Sequence, residues 1–249
     1  HNRVAGADFS IKHGNSRFAG NFLTTRTEDP AGLESKDGVG ANGYFEYGTK
    51  PFVFIQQLEH YDTGFQMDTA FLNQVGITQG WTFAQPSFYP DAKKYPWLKR
   101  ISPFVFFRYG KDRIQGGNKY LVLPGIRLHM TRQGFFRVAF GWGNEPWKGE
   151  VFKVRQLRVF GGAQAFHWLN VFTLARLARS VYYDDVDPYS GNEKDLTVEV
   201  SLQPTARFNE SYPVVKYSQP RPTGGAALPI VSNAPVDLSM RTAVRSPFT

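Results

Sequence analysis

The stretch "DLTVEVSLQPTARFN", from Asp195 to Asn209, alternates apolar and polar residues without a break. Leu196, Val198, Val200, Leu202, Pro204, Ala206 and Phe208 fall on one side, and Thr197, Glu199, Ser201, Gln203, Thr205, Arg207 and Asn209 on the other. A period of two is that of a β-strand with one apolar and one polar face. Strands in soluble domains run to about five or six residues, whereas a tilted strand crossing a bilayer needs about nine to eleven. The length favours a membrane. Alternation alone leaves two readings open, because a soluble sandwich turns its apolar face inward and a membrane barrel turns it outward.

Composition narrows the choice. The chain has 249 residues, 41% of them hydrophobic, with a mean hydropathy of -0.38. No run of about eighteen apolar residues is present, which excludes a helical membrane protein but not a barrel, whose strands need an apolar residue only at every second position. Aromatics at 16% and 24 glycines suit long strands, tight turns and interfacial belts. With no cysteine there is neither a disulfide nor a thiolate metal site. The net charge of +8 raises nucleic acid as a partner, yet no Lys/Arg cluster and no RNP-like or Cys/His finger pattern accompanies it, so nucleic acid is not expected. The chain opens on strand-like sequence, "HNRVAGADF"; a secretory signal is expected upstream in a longer protein or not at all.

Alternation and breakers together predict about twelve strands. They lie near Arg3–Lys12, Arg17–Thr27, Val39–Tyr47, Phe52–Tyr61, Gly76–Ser87, Ile101–Tyr109, Asn118–Thr131, Phe135–Trp142, Val151–Phe160, Phe166–Tyr182, Asp195–Phe208 and, more weakly, Tyr212–Ser218. Between them, "HGNS", "GTK", "RQG", "GGAQ" and "NES" read as short connections. "EDPAGLESKDG", "DTGFQMDTAFLNQV", "KDRIQGG", "NEPWKG" and "DDVDPYSGNEK" read as long ones. Short and long alternate as periplasmic turns and extracellular loops do in an outer-membrane barrel. "YPDAKKYPWLKR", Tyr89 to Arg100, breaks the rule, as a larger periplasmic loop or a misplaced strand boundary would. Phe65, Thr69 and Leu72 in the second long connection share helical spacing, which suits a short helix or a loop folded into a lumen.

Charge fixes the faces. In "KYLVLPGIRLHMT" Tyr120, Val122, Ile126, Leu128 and Met130 oppose Arg127 and His129; in "FRVAFGW" Phe136, Val138, Phe140 and Trp142 oppose Arg137. An arginine at mid-bilayer facing lipid costs about 2–4 kcal/mol, so Arg127 and Arg137 are expected to face a wet lumen or each other. The lumen set predicted on this basis is Arg127, His129, Arg137, Glu199, Gln203 and Arg207. Aromatics gather near strand ends, among them Trp142, Trp147, Tyr182, Tyr189, Tyr95 and Trp97, as interfacial girdles or as ordinary loop packing. From Gln219 onward the sequence is rich in Pro, Gly, Ala and Ser without alternation, which divides the chain into a barrel region, 1–218, and an irregular or disordered tail or truncated continuation, 219–249.

Chemistry-bearing motifs are sparse. Asp184, Asp185, Asp187 and Glu193 stand in one loop with Gly191, and hard oxygen ligands on such a turn suit calcium; the competing reading is a solvated acidic loop. His13, His60, His129 and His167 form no local ligand pair. Glu59 and His60 with Asp68, or Glu145, can be drawn as acid/base groups, but no spacing forces them together. No nucleophile-elbow, Walker or dinucleotide pattern occurs.

The ordered series "VAGADF", "GTKPFVFIQQLEHYDTGFQMDTAFLNQVGITQGW", "RQGFFRVAFGWGNEPW", "QAFHWLN", "YYDDVDPYSG" and "SLQPTARFN" resembles the bacterial domain-of-unknown-function family 5916 over roughly Val4 to Tyr217. The resemblance implies an outer-membrane barrel region, usually C-terminal to a module similar to family-9 carbohydrate-binding domains. It therefore implies outer-membrane lipid as a partner and glycan through that module, which is absent here. It carries over no catalytic residue. The expected fold is thus all-β, an antiparallel up-and-down transmembrane β-barrel of about twelve long strands, partial and open if the chain is a fragment. The expected role is non-enzymatic, in glycan-related binding or uptake at the surface of the bacterial outer membrane. The alternatives are a soluble β-sandwich or lectin-like module and a membrane-associated glycan hydrolase.

Overall fold

The computed structural model describes residues 1–28, 35–67, 75–184, 186–205 and 208–222, and for 204, 205 and 208–222 the backbone alone. All its elements are strands: β1 (Asn2–His13), β2 (Ser16–Glu28), β3 (Ser35–Gly48), β4 (Phe52–Tyr61), β5 (Ile77–Pro86), β6 (Leu98–Asp112), β7 (Gly117–Met130), β8 (Phe135–Trp147), β9 (Glu150–Phe166), β10 (Leu169–Tyr182), β11 (Tyr189–Thr205) and β12 (Phe208–Pro222). They form one 12-stranded sheet in sequence order, an up-and-down meander. A sandwich would need two sheets packed face to face. Among the described residues no ladder joins β12 to β1, so the sheet is open there.

The opening stretch is divided differently from its expectation. β11 begins earlier, at Tyr189, and ends at Thr205, which pairs with Phe208 across a reversal of the chain. Phe208 and Asn209 belong to β12, and so does the expected "NES" connection. β12 also takes in Gln219–Pro222, assigned above to the tail; 223–249 lie outside the described residues.

Other differences are local. β8 runs on through "NEPW" to Trp147, and Lys148 and Gly149, at φ 51° and 80°, make the turn. Two consecutive residues at positive φ match the twist of a tight hairpin, so no long loop is needed. β6 continues to Asp112, whose Oδ1 accepts N–H bonds from Ile114 (2.9 Å) and Gln115 (2.8 Å) and so closes the turn at 113–116. "GGAQ" is interior to β9, not a turn: a Cβ on Gly162 would meet the Val171 carbonyl oxygen at 2.9 Å, so glycine serves close approach there. The long connection 87–97 is real and holds no further strand; Phe88 bridges Ile101, and turns about Asp91 fill the rest.

The chain divides into two compact units. One is His1–Ser87, Phe104–Leu123 and Trp142–Lys153; the other is Phe88–Pro103, Pro124–Gly141 and Val154–Thr249. In the first, register carries one row across six strands: Phe9, Gly20, Gly43, Leu58, Gly80 and Tyr109. One residue along, on the opposite face, runs Asp8, Asn21, Asn42, Glu59, Gln79 and Gly110. The first row is apolar and its Phe9, Leu58 and Tyr109 are exposed; the second is polar. The connection after β4 folds back over the polar face, where Phe65 is buried against the Tyr61 ring at 5.3 Å and over Gly38 and Gly40. Gln66 N–H donates to Thr25 Oγ1 at 3.3 Å, so this segment follows the folded-in alternative; Thr69 and Leu72 lie outside the described residues.

The second unit repeats the division. On β8, Ala139 is 2% exposed while Phe140 beside it is 49% exposed. On β9 to β11 the apolar face carries Val159, Ala175 and Leu196 in one row, Gly161, Thr173 and Val198 in the next, and Ala163, Val171 and Val200 beyond.

Candidate functional site

The polar face of the second unit is crossed by a ladder of arginines, one per strand. Arg100 stands on β6, Arg127 on β7, Arg137 on β8, Arg158 on β9 and Arg176 on β10. Arg158 and Arg176 are direct cross-strand partners, and Arg176 in turn faces Asp195 on β11. Each member repels the next: Arg127 feels Arg100, Arg137 feels Arg127 and Arg158, and Arg158 feels Arg176. Guanidiniums do not give up their proton, so this repulsion is permanent. Like charges placed directly opposite one another destabilise a sheet.

One end of the ladder carries salt bridges. Arg176 Nη1 donates to Glu193 Oε1 at 2.5 Å and lies 3.4 Å from Asp195 Oδ2, while Ser180 Oγ donates to Glu193 Oε2 at 2.6 Å. Neutral groups contact other members of the ladder. Arg158 Nε donates to Gln156 Oε1 at 2.9 Å, and the Arg137 guanidinium carbon lies 5.1 Å from the Phe160 ring centroid, a cation–π contact. Arg100 Nη2 lies 2.6 Å from His129 Nε2. An arginine can only donate, so His129 accepts there and carries its proton on Nδ1. Phe135, with centroids 6.1 Å from Phe160 and 6.2 Å from Phe172, supplies the apolar support beside Arg137.

The predicted lumen residues divide accordingly. Arg127, His129 and Arg137 are brought together in the ladder. Glu199 shares its face, opposite Phe172 and displaced along β11 from Asp195. Gln203, with the parity of Glu199, is exposed beyond it; Arg207 lies outside the described residues. Sequence reading missed Arg100, assigned to a connection, and Arg158 and Arg176, which lie in strands whose pairing sequence does not give.

Among the described residues the calcium set is not brought together as a group of three. Glu193 is turned to Arg176 on the strand, Asp184 Oδ1 accepts the Val186 and Asp187 N–H groups at 2.7 and 3.0 Å, and Asp185 lies outside the described residues. Among the described residues no group of three or more His, Asp or Glu is placed to hold a metal ion. The drawn acid/base pair also separates, since Glu59 and His60 are successive strand residues on opposite faces: Glu59 bonds Gln79, and His60 Nδ1 lies 2.7 Å from Thr78 Oγ1. Asp68 lies outside the described residues. Glu145 forms a 3.7 Å ion pair with Arg108 on the polar face of the first unit.

No family model, no curated protein and no solved structure matches this chain.

Proposed function

We propose that the sheet is the wall of a transmembrane β-barrel in the bacterial outer membrane, with its polar face toward water and its apolar face toward lipid. The observation that carries this reading is the inversion of polarity across the sheet. Phe9, Phe18, Phe22, Phe107, Phe140 and Leu177 are exposed, while Ser102, Asp112, Lys119 and, of the ladder, Arg100, Arg127, Arg137 and Arg176 are partly or wholly covered. A water-soluble sheet buries its apolar face. Membrane strands do the reverse, and the apolar face of β9 from Leu157 to Ala165 has the length of about nine to eleven residues that a tilted crossing requires. Aromatic pairs at the two ends of β10 support it: Phe166 stacks on Trp168 with centroids 5.4 Å apart, and Tyr182 on Tyr189 at 4.9 Å.

The ladder gives such a barrel a basic interior and so a preference for anionic solutes. Acidic glycans are the cargo class most in keeping with the resemblance to family 5916. The test is refolding of the full chain into zwitterionic micelles, followed by electrophoresis with and without boiling and by circular dichroism. A compact, heat-sensitive, β-rich species is expected. A soluble monomer in plain buffer that ignores micelles would overturn the reading.

A further inference from the structure

On the apolar face of the first unit the glycine row leaves a groove. Ala41, Gly43 and Gly80 form its floor, Leu58 and Tyr109 its walls, and it encloses about 660 Å³. Gly20, the cross-strand neighbour of Gly43, is roofed by the Phe9 ring, whereas nothing stands within 4 Å of where a Gly43 Cβ would be. The groove is therefore a gap in the side-chain cover of an otherwise apolar wall.

Its rim, toward the connections after β4 and β6, changes character. His60, Thr78 and Lys111 line it there. Arg113 reaches over, with Nη1 donating to Thr78 Oγ1 and Nη2 to the Tyr61 carbonyl, both at 2.8 Å. The nearby carboxylate, Asp62, is 3.1 Å from His60 Nε2. Among the described residues Lys111 has no carboxylate within ion-pair distance. An apolar channel ending in lysine and arginine has the order of an amphiphile that bears a negative head.

We propose that this groove seats one acyl chain of an anionic bilayer lipid, whose phosphate is held at the rim by Lys111 and Arg113. The inference rests on the membrane reading above, because only a wall that faces lipid presents acyl chains to such a groove. A leucine at Gly43 would project into the channel from a Cβ that meets no atom within 4 Å, and it demands no left-handed backbone. Glutamine at Lys111 removes the charge and keeps much of the side-chain length.

The full chain, its Gly43→Leu variant and its Lys111→Gln variant are refolded in zwitterionic micelles. Each is titrated with phosphatidylglycerol or phosphatidylcholine of equal chain length, and retained lipids are counted by native mass spectrometry. The wild type should retain one phosphatidylglycerol in preference to phosphatidylcholine. Gly43→Leu should lose that adduct with either lipid, and Lys111→Gln should weaken phosphatidylglycerol alone, by about fivefold for one surface cation. Equal retention by all three proteins, or no preference between headgroups in the wild type, would overturn the site while leaving the barrel intact. Displacement of the lipid by inorganic phosphate alone would also overturn it, making the rim a site for free anions. A wild type that never yields a heat-sensitive species would instead overturn the membrane reading, and the lipid site with it.

Discussion

Phe140 and Ala139 put the question of sidedness at its smallest scale. The two are neighbours on β8, yet the large apolar ring is the half-exposed one and the small residue the buried one. In a sheet that meets water on that face, exchanging Phe140 for arginine should change stability by within about 0.5 kcal/mol, as for most surface positions. Facing lipid near the middle of a bilayer, the same exchange costs about 2–4 kcal/mol. Phe140→Arg is expected to show the larger loss in reversible urea unfolding from micelles or vesicles; an unchanged midpoint would place water on that face. This face was legible in the sequence, because Arg137 sets the phase of "FRVAFGW". The ladder was not. In "VRQLRVF" Arg155 and Arg158 lie an odd number of positions apart and so fall on opposite faces, and nothing within the segment says which of them joins Arg176. Cross-strand register decides it, by setting Arg158 opposite Arg176 and Arg155 opposite Arg179.

Elements were legible in number and kind, and less so in their ends, for a reason that glycine illustrates. The same residue type marks a turn at Gly149, where φ is 80°, and permits close strand approach at Gly162. A sequence reader sees one breaker in both. The turn after β7 is the opposite case: Arg132 and Gln133 both adopt φ 54° with no glycine at either position. Its hydrogen bond, from Gly134 N–H to the Thr131 carbonyl at 2.9 Å, closes a two-residue hairpin of the kind that asparagine followed by glycine forms without strain. The left-handed conformation costs an ordinary side chain roughly 1–2 kcal/mol, offset in part by the backbone entropy that glycine loses. Arg132→Asn combined with Gln133→Gly is therefore expected to stabilise the hairpin by about 1 kcal/mol, read as a higher urea midpoint with an unchanged slope. A lower midpoint would mean that the 3.5 Å contact between Gln133 and Gln164 matters more than backbone strain.

At the scale of the whole molecule, the ladder sets five guanidiniums against the two carboxylates that hold Arg176. A sheet keeps such an arrangement at a cost to its own stability, so its use is expected in what passes or rests against that face. If that face lines a water-filled pore, current carried in planar bilayers should favour anions. The preference should follow ionic strength, because the screening length is about 30 Å in 0.01 M salt and about 3 Å in 1 M. Arg127→Gln with Arg137→Gln removes two of the arginines that lie away from the carboxylates and should reduce anion preference at low salt. Glu193→Gln removes a counter-charge from the other end and should increase it. All three proteins should converge at 1 M salt. Opposite shifts from the two kinds of variant separate a field effect of the ladder from a change in pore width, which would alter conductance for both signs of ion together. Selectivity unmoved by either variant at low salt would mean that the arginines do not face the conduction path.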